Sequence, residues 1–330
     1  MKAKNKFSYN PLVSIVIPAY KAANYLREAI DSALAQSYEN IEIIVVNDGS
    51  PDNGATREIA LSYGDKIRYI EKENGGSSSA LNMGIKNMKG EWFSWLSHDD
   101  LYYREKISEQ IRLISSLNLS EDELYRHFIF TACDFIDAKG AYIKKAKASV
   151  SEEMKKKIDS MSGNEYLIAE PTKYNFYGCG CLIHKRVFDE IGGFDENLRL
   201  INDLDMWYRV YAAGYKLHFM PKSLVMGRLH SGQISRSIGF SYHNAEQDMF
   251  WKRSLEYLKA NCADNFEVFA LFGANAFSKT RDTDGDEAFS IAMKIAPDKA
   301  GALNRKRAFL KLKAAIRSFA KGVYVKLFMK

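Results

Sequence analysis

Short apolar runs alternate with amphipathic stretches in the first part of the chain, and this alternation narrows the folds that it can adopt. The apolar runs span residues 12–17, 41–46, 67–71 and 92–96. The segments between them place apolar residues at spacings of three and four, as amphipathic helices do. Strands that alternate with helices form parallel βαβ units. The sequence therefore predicts an α/β fold with a mostly parallel sheet and helices on both of its faces.

The rest of the chain divides into a continued α/β part and a helical part. Residues 144–163 are rich in Lys and Ser, which predicts an exposed insertion that could act as a lid. After residue 240 the pattern is helical, so we expect an α/β domain over residues 1–240 and a helical extension over 241–330. Further elements predicted in the first domain are a helix over 103–118, a strand over 128–136, and a strand over 216–220 that Pro221 ends.

The net charge of +6 arises at the C-terminus. Residues 299–330 contain ten Lys or Arg and no Asp or Glu, which leaves a net charge of −4 for residues 1–298. A main body with this balance argues against nucleic-acid binding. From about 304 to 330, apolar residues recur at spacings of three and four beside cations. Such a basic amphipathic helix suits an anionic membrane surface, and equally packing on its own domain or on the partner in a homodimer.

The N-terminal residues and the cysteines indicate the cellular compartment in which the protein is expected. Residues 1–10 are polar, and no apolar run approaches the length of a membrane-spanning helix, so neither a signal peptide nor a membrane span is expected. The four cysteines lack metal-site spacing, which fits a reducing compartment. We therefore expect a cytoplasmic protein. Peripheral attachment to the inner face of the cell membrane through the C-terminal helix stays open.

Two adjacent carboxylates, Asp99 and Asp100, follow the aromatic run at 92–96. Ligands of open α/β sheets bind beyond the carboxyl ends of the strands, so both carboxylates are expected to face a binding crevice. Adjacent carboxylates repel each other unless a cation or a shared proton intervenes. Mg²⁺ or Mn²⁺, which take oxygen ligands and can also hold phosphates, are the natural partners. The alternative is that the pair caps a helix that begins near Tyr102.

Two glycine pairs lie where a ligand could approach the backbone. Gly75 and Gly76 permit a tight turn with exposed amides, and a helix after them would favour an anion such as a diphosphate. Gly178 and Gly180 would let the backbone come close to a ligand. The chain has no GxGxxG or Walker-type lysine, so neither pair identifies a nucleotide fold by itself.

A series of short motifs resembles the family-2 glycosyltransferases with the GT-A fold. The resemblance covers about residues 12–235 and implies a Rossmann-like, mixed but mostly parallel sheet. The matching motifs are residues 13–20 (VSIVIPAY), 47–50 (NDGS), 74–76 with Asn82 and Gly84, Gly90 with Glu91, Asp99 with Asp100, 192–195 (GGFD), and 203–205 (DLD) with Arg209 and Gly214.

The resemblance implies roles for individual residues. Asp203 matches the aspartate that acts as the catalytic base, and it opens a predicted helix whose dipole would lower its pKa. Asp99 matches the metal-binding aspartate of the DxD motif, and His230 matches a histidine near the diphosphate and the metal. Nucleotide contacts are expected from Pro18, Ala19, Tyr20, Asp48, Asn74, Gly75 and Asn82. Further candidates for contacts with the donor or the acceptor are Asp100, His98, Asn202 and Cys179.

Two positions depart from the family pattern. Ser97 occupies the first DxD position, and Asn202 occupies the place where the family commonly has Glu before the catalytic Asp. A metal held by Asp99 and the diphosphate would bind weakly without the nucleotide. These departures keep open a non-catalytic module that binds a nucleotide-sugar or a glycan.

Residues and resemblance together predict an inverting, metal-dependent glycosyltransferase of the hexosyltransferase type. We expect it to move a sugar from a nucleoside diphosphate sugar to a hydroxyl of a saccharide or lipid-linked glycan, in cell-envelope or capsular polysaccharide synthesis. The resemblance implies UDP as the nucleotide and Mn²⁺ or Mg²⁺ as the cofactor. A sugar-1-phosphate nucleotidyltransferase is a second alternative, but residues 18–21 lack the Gly-rich, Arg-containing loop that such enzymes need after the first strand.

Overall fold

The structure is a computed structural model that describes residues 9–144, 148–161, 163–170, 176–233 and 240–328. The chain divides into two compact units. The first comprises Met1–Met161 and Asn175–His243, and the second comprises Ser162–Tyr174 and Asn244–Lys330. The functional division at residue 240 stays a prediction, because these units are defined by packing alone.

A five-stranded sheet forms the centre of the first unit. Its strands are β1 (Val13–Ala19), β2 (Ile41–Asp48), β3 (Arg68–Lys72), β4 (Trp92–Trp95) and β8 (Ile183–His184). They stand in the order β3-β2-β1-β4-β8, with β1 to β4 parallel and β8 antiparallel to β4. Every residue of β1 and β4 is buried, as expected for strands that are covered on both faces.

Helices surround this sheet, and the predicted α/β fold class is confirmed. α3 packs directly on β1 and β2, and Gly84 makes this possible because a Cβ there would lie 2.3 Å from Val16. The helices of the first unit are α1 (Leu26–Leu34), α2 (Ala55–Leu61), α3 (Ser77–Asn87), α4 (Lys106–Ser116), α5 (Glu121–Leu124), α6 (Ala148–Asp159), α8 (Arg186–Ile191) and α9 (Asn202–Ala212).

A second sheet contains β5 (Leu101–Tyr102), β6 (His127–Asp137), β7 (Tyr142–Lys144) and β9 (Lys216–Leu229) in the order β5-β9-β6-β7. The prediction that Pro221 ends a strand is wrong. Met220 pairs with Thr131 and Ser223 with the next residue, Ala132, so Pro221 lies in an irregularity where the ladder needs no amide from it. β9 therefore continues towards the end of β4.

The alternative that the aspartate pair caps a helix beginning near Tyr102 is wrong, because β5 separates Asp100 from α4, whose N-cap is Glu105. The segment predicted as an exposed insertion contains α6. Most of the described side chains of α6 are exposed, while the helix packs against β9 and buries Ile158. A helix of polar composition can pack in this way because it needs only one apolar side.

The second unit is helical. Its short helix is α7 (Glu165–Ala169), and its long helices are α10 (Phe240–Asn261, which starts in the first unit), α11 (Phe266–Ser278), α12 (Asp282–Ile295) and α13 (Ala300–Phe328). α11 packs against α7, α12 and α13. Trp251, Phe269 and Phe272 are fully buried. Among the residues described, no helix has the length and apolarity that crossing a membrane requires.

Candidate active site

A cavity of about 950 Å³ lies beyond the carboxyl ends of β1, β2 and β4. This is where open α/β sheets bind ligands, and the volume suits a small molecule or cofactor. Gly75, Asn82 and Asp100 are the predicted site residues that do not line it. The predicted site residues that do line it are Pro18, Ala19, Tyr20, Asp48, Asn74, His98, Asp99, Cys179, Asn202, Asp203 and His230.

Asp99 and His230 form a pair at the cavity wall. Asp99 follows β4 and His230 follows β9, and the Nε2 atom of His230 lies 3.0 Å from Oδ2 of Asp99. The His230 ring also packs against Tyr25, with ring centroids 4.9 Å apart. In the described ranges no group of three or more His, Cys, Asp or Glu could hold a metal ion. A carboxylate and an imidazole are both possible ligands for a divalent cation, and two protein ligands would leave the remaining positions to other oxygens.

Arg228, two residues before His230, holds the backbone around this pair. Its side chain is 1% exposed, and its Nε donates to the carbonyl oxygen of Asp99 at 2.8 Å. One terminal nitrogen donates to Glu28 in α1 at 2.8 Å, and the guanidinium lies over the Tyr25 ring at 4.6 Å. Arg228 thus contacts the ring that supports His230 and the backbone that carries Asp99. It is a positioning residue that the sequence analysis missed.

Substituting Arg228→Lys should lower the free energy of unfolding by about 1–3 kcal/mol, because lysine cannot reproduce the planar donor fork and leaves buried acceptors unpaired. Urea unfolding measures this difference. The matched control is Arg112→Lys, since Arg112 makes a surface ion pair with Glu109 and its side chain is 53% exposed. We expect the control to change stability by less than about 0.5 kcal/mol. Equal effects of the two substitutions would contradict the role assigned to Arg228.

Asp100 points away from the cavity, which corrects the expectation that both carboxylates face it. The side chain is 1% exposed. Its Oδ1 accepts from the amide of Arg228 at 2.8 Å, and its Oδ2 accepts from the hydroxyl of Tyr177 at 2.8 Å and the thiol of Cys179 at 3.1 Å. Burial, reinforced by the charge of Asp99, raises the pKa of Asp100. Its role is to join β4, β9 and the segment around Cys179.

Asp48 supplies the anion that the glycine turn binds. Its carboxylate accepts from the amides of Gly75 and Gly76 at 2.9 and 2.7 Å, and from Nζ of Lys72 at 2.8 Å. Gly76 has φ of +90°, a conformation that favours glycine. The protein's own carboxylate thus satisfies these amides, and a diphosphate contact at Gly75 stays a prediction. Asp48 shapes the loop that brings Asn74 to the cavity.

Asn82 also has a partner within the protein. Its Nδ2 donates to the carbonyl oxygen of Phe194 at 2.9 Å, and its Oδ1 accepts from the amide of Phe194 at 2.8 Å. This double contact joins α3 to the loop after α8. Asn82 lies outside the cavity and has a structural role here, and its expected nucleotide contact stays a prediction.

The second glycine pair packs closely against protein atoms, and Gly178 also lines the cavity. A Cβ on Gly178 would lie 2.6 Å from the ring of Trp95, and one on Gly180 would lie 3.0 Å from the carbonyl oxygen of Thr131. Close approach of a ligand to this backbone stays a prediction. These glycines let the segment pack tightly, which places Cys179 in the cavity wall.

Asp203 lies in the first turn of α9 and is half-buried in the cavity wall. Burial raises its pKa to about 6, so the predicted lowering by the helix dipole has the wrong sign. Its Oδ1 accepts from the amide of Leu204 at 2.7 Å. A carboxylate with a pKa near 6 is ionised at neutral pH and is a stronger base than an ordinary one.

Three predicted residues complete the polar lining. Asn202 is buried and donates to the hydroxyls of Ser77 and Ser78 at 3.3 and 3.1 Å. The Nδ1 of His98 lies 3.3 Å from the carbonyl oxygen of Pro18, and burial lowers the pKa of His98. Burial, reinforced by the charge of Asp100, raises the pKa of the Cys179 thiol well above its usual value. His98 and Cys179 are therefore uncharged in the cavity wall at neutral pH.

The cavity also contains polar residues that the sequence analysis missed. Lys21 adopts φ of +50° directly after β1, and Arg199 lies against Gly76, with a nitrogen 3.0 Å from the place of a Cβ there. Gln233 also lines the cavity, and its side-chain amide donates to the carbonyl oxygen of Arg228 at 2.6 Å. No sequence signal singled out Lys21 or Arg199, because cationic residues are common in loops. The positive φ of Lys21 becomes visible only in the structure.

Comparisons with known proteins identify the family. The family model described as glycosyl transferase family 2 matches residues 14–121. A glycosyltransferase of Rickettsia typhi is 47% identical, over 70% of this chain and 68% of that protein. A glycosyltransferase of Rickettsia felis is 48% identical over 76% of this chain, which spans only 39% of that longer relative. The chain belongs to the family-2 glycosyltransferases.

Solved structures show the same fold at low sequence identity. The chain resembles residues 1–349 of TarS from S. aureus in complex with UDP-GlcNAc, with a TM-score of 0.62, 14% identity, and coverage of 94% of this chain and 92% of that one. It also resembles the mannosyltransferase PcManGT from Pyrobaculum calidifontis in complex with GDP-Man and Mn²⁺, with a TM-score of 0.54, 17% identity, and coverage of 94% and 88%. These likenesses confirm the GT-A fold.

Proposed function

We propose that the chain is an inverting, metal-dependent hexosyltransferase that moves one sugar from a nucleoside diphosphate sugar to an acceptor hydroxyl. One observation carries this proposal. Asp203, a carboxylate with a raised pKa, and the Asp99–His230 pair line the same cavity at the carboxyl edge of the sheet. Transfer needs a base for the acceptor and compensation of charge on the leaving group, and this cavity offers residues for both.

In this proposal, Asp203 accepts the proton of the attacking hydroxyl. The hydroxyl oxygen forms a bond to the anomeric carbon while the bond from that carbon to the diphosphate oxygen breaks. The nucleoside diphosphate leaves with the electron pair of the broken bond. A single displacement of this kind inverts the configuration at the anomeric carbon, as in inverting glycosidases. A positioned base contributes about 10²- to 10⁴-fold to such a reaction.

Asp99 and His230 would hold Mn²⁺ or Mg²⁺, which would supply positive charge at the diphosphate. Contacts within the protein hold both residues in place, because Arg228 binds the Asp99 backbone and Tyr25 packs on His230. Two protein ligands leave most of the coordination shell to the diphosphate and water. We therefore expect cation and nucleotide to bind together more tightly than either binds alone.

The donor nucleotide would lie between the ends of β1 and β2. Pro18, Ala19 and Tyr20 line that side of the cavity, and Asp48 and Asn74 line the neighbouring part. UDP is our proposed nucleotide, supported by TarS in complex with UDP-GlcNAc, although PcManGT in complex with GDP-Man shows that the fold also accepts guanosine. His98, Asn202 and Cys179 are further candidates for contacts with the donor or acceptor.

The acceptor would be a saccharide, free or lipid-linked, in the synthesis of a cell-envelope or capsular polysaccharide. The protein would act in the cytoplasm or at the inner face of the cell membrane. Family membership gives no support to the nucleotidyltransferase alternative.

Calorimetric titration with UDP, GDP and dTDP, each with and without Mn²⁺, tests the proposal. We expect one nucleotide to bind at micromolar concentration in the presence of Mn²⁺ and at least about tenfold more weakly without it, because cation and diphosphate share ligands. Hydrolysis or transfer of the corresponding nucleotide-sugar should then be measurable. If none of the three nucleotides bound, with or without Mn²⁺, the proposal would be overturned. Nucleotide binding without any sugar transfer would favour the non-catalytic module.

A further inference from the structure

The outer face of α13 carries a row of apolar side chains in water. Phe309, Leu312 and Ile316 are 62, 61 and 59% exposed. Their spacings of three and four residues place them on one line along two turns of helix. A single exposed apolar side chain needs no explanation, whereas an aligned row on one face marks a surface for interaction.

The opposite face of α13 is anchored within the second unit. Leu303 is buried, and Arg307 and Lys311 both bind the carboxylate of Asp286 in α12, Arg307 through Nε at 2.6 Å and Lys311 through Nζ at 2.8 Å. These three anchoring residues recur at intervals of four, and a helix places their face about 160° from Phe309. Because this face is fixed against α12, the apolar row points away from the unit.

Cations flank the apolar row. Arg305, Lys306 and Lys313 are exposed, and in the described part of the chain they take part in no ion pair. Residues 299–330 contain no Asp or Glu. A second copy of this helix would therefore bring like charges together, which opposes self-association through the row. An anionic surface complements both features, since the cations gain counter-charges while the apolar row leaves water.

We propose that α13 docks on an anionic lipid bilayer surface. Phe309, Leu312 and Ile316 enter the boundary between head groups and acyl chains, and Arg305, Lys306 and Lys313 lie among the anionic head groups. The apolar row and the cations should both increase the affinity, because binding of an interfacial helix strengthens with buried apolar area and with electrostatic attraction to anionic lipid. The inference does not depend on the transfer chemistry, so either proposal can fail alone.

Cosedimentation of the full 330-residue chain with vesicles tests this surface. The vesicles contain phosphatidylcholine alone or with phosphatidylglycerol. We expect binding to the anionic vesicles, weakening with added salt, and little binding to the neutral ones. Two variants should each weaken binding to anionic vesicles by about a hundredfold. They are Phe309→Ser/Leu312→Ser/Ile316→Ser and Arg305→Glu/Lys306→Glu/Lys313→Glu.

Matched control variants change exposed residues of the same type in the first unit. Leu61→Ser removes an apolar side chain that is 53% exposed, and Lys66→Glu/Lys86→Glu/Lys139→Glu makes the same change in net charge. Both should bind anionic vesicles within about threefold of the parent chain. The inference would be overturned if the parent chain did not bind anionic vesicles, or if the control variants lost as much vesicle binding as the α13 variants. It would also be overturned by a dimer in analytical ultracentrifugation that Phe309→Ser/Leu312→Ser/Ile316→Ser abolishes.

Discussion

The variant Asp203→Asn should bind the nucleotide and Mn²⁺ as the parent chain does and lose transfer by about 10²- to 10⁴-fold, the usual contribution of a positioned base. The amide keeps the shape of the side chain but cannot take the acceptor proton. The measurement is kcat in a transfer assay with the nucleotide-sugar identified by calorimetry, together with the Kd of the nucleotide. Loss of both transfer and nucleotide binding would contradict the assignment, because it would make Asp203 a structural or donor-binding residue.

The control for this substitution is Asp189→Asn. Asp189 lies in α8, is exposed, and does not line the cavity. It should keep kcat within about twofold, as surface substitutions usually have small effects. Full activity of Asp203→Asn would remove the base from the proposed mechanism.

The pH dependence of transfer should follow the pKa of Asp203, which burial raises to about 6. Below that pH the carboxylate is protonated and cannot act as a base, so kcat/KM should rise with pH through about 6 and then level off. The same group lowers stability at neutral pH. Its unfolded pKa is near the ordinary value of about 4, so folding is disfavoured progressively as pH rises from about 4 to about 6. Asp203→Asn should therefore unfold at higher urea than the parent at pH 7, and the difference should vanish near pH 4.

Residues at strand ends were predictable from sequence because two signals coincide there. An apolar run followed by polar residues places Asp48 and Asp99 at the carboxyl edge of a parallel sheet, and the family resemblance assigns the same residues. The cavity lies at that edge, and both residues line it. Asp203 was predicted as a site residue only from the family resemblance, since a carboxylate in the first turn of a helix is otherwise interpreted as an ordinary cap.

The direction of adjacent side chains was not predictable, because it depends on partners far along the chain. Asp99 and Asp100 follow the same strand, yet only Asp99 faces the cavity. Asp100 turns inward because Tyr177 and the Arg228 amide bind it from 77 and 128 residues away. Long-range contacts also explain Gly75, whose amide meets the Asp48 carboxylate across 27 residues. A local pattern shows that these amides are available, but not which anion they bind.

Asp99→Asn and Asp100→Asn should have opposite effects on Mn²⁺ affinity and on stability. In the proposed metal site, Asp99→Asn should weaken Mn²⁺ binding to the nucleotide complex by about a hundredfold, because a neutral amide oxygen would replace the charged one of the two proposed protein ligands. The measurement is the free Mn²⁺ signal in electron paramagnetic resonance, which needs no catalytic turnover. The free energy of unfolding should change by less than about 1 kcal/mol, since the side chain lines the cavity and an amide can keep its contact with His230.

Asp100→Asn should lower stability and leave Mn²⁺ affinity nearly unchanged. The carboxylate accepts from Arg228, Tyr177 and Cys179 in a buried position, and an amide can satisfy only the donors that meet its single oxygen. Leaving at least one buried donor unpaired should lower the free energy of unfolding by about 1–3 kcal/mol. Mn²⁺ affinity should stay within about threefold of the parent, because this side chain lies outside the cavity.

The two substitutions change neighbouring residues of the same type, so any general effect of removing a carboxylate after β4 is shared between them. A metal site formed by Asp99 and His230 requires that affinity and stability separate between the variants. If Asp100→Asn lost Mn²⁺ as strongly as Asp99→Asn while remaining as stable as the parent, Asp100 would be a ligand. Cation binding would then require the carboxylate to turn away from Arg228 and Tyr177.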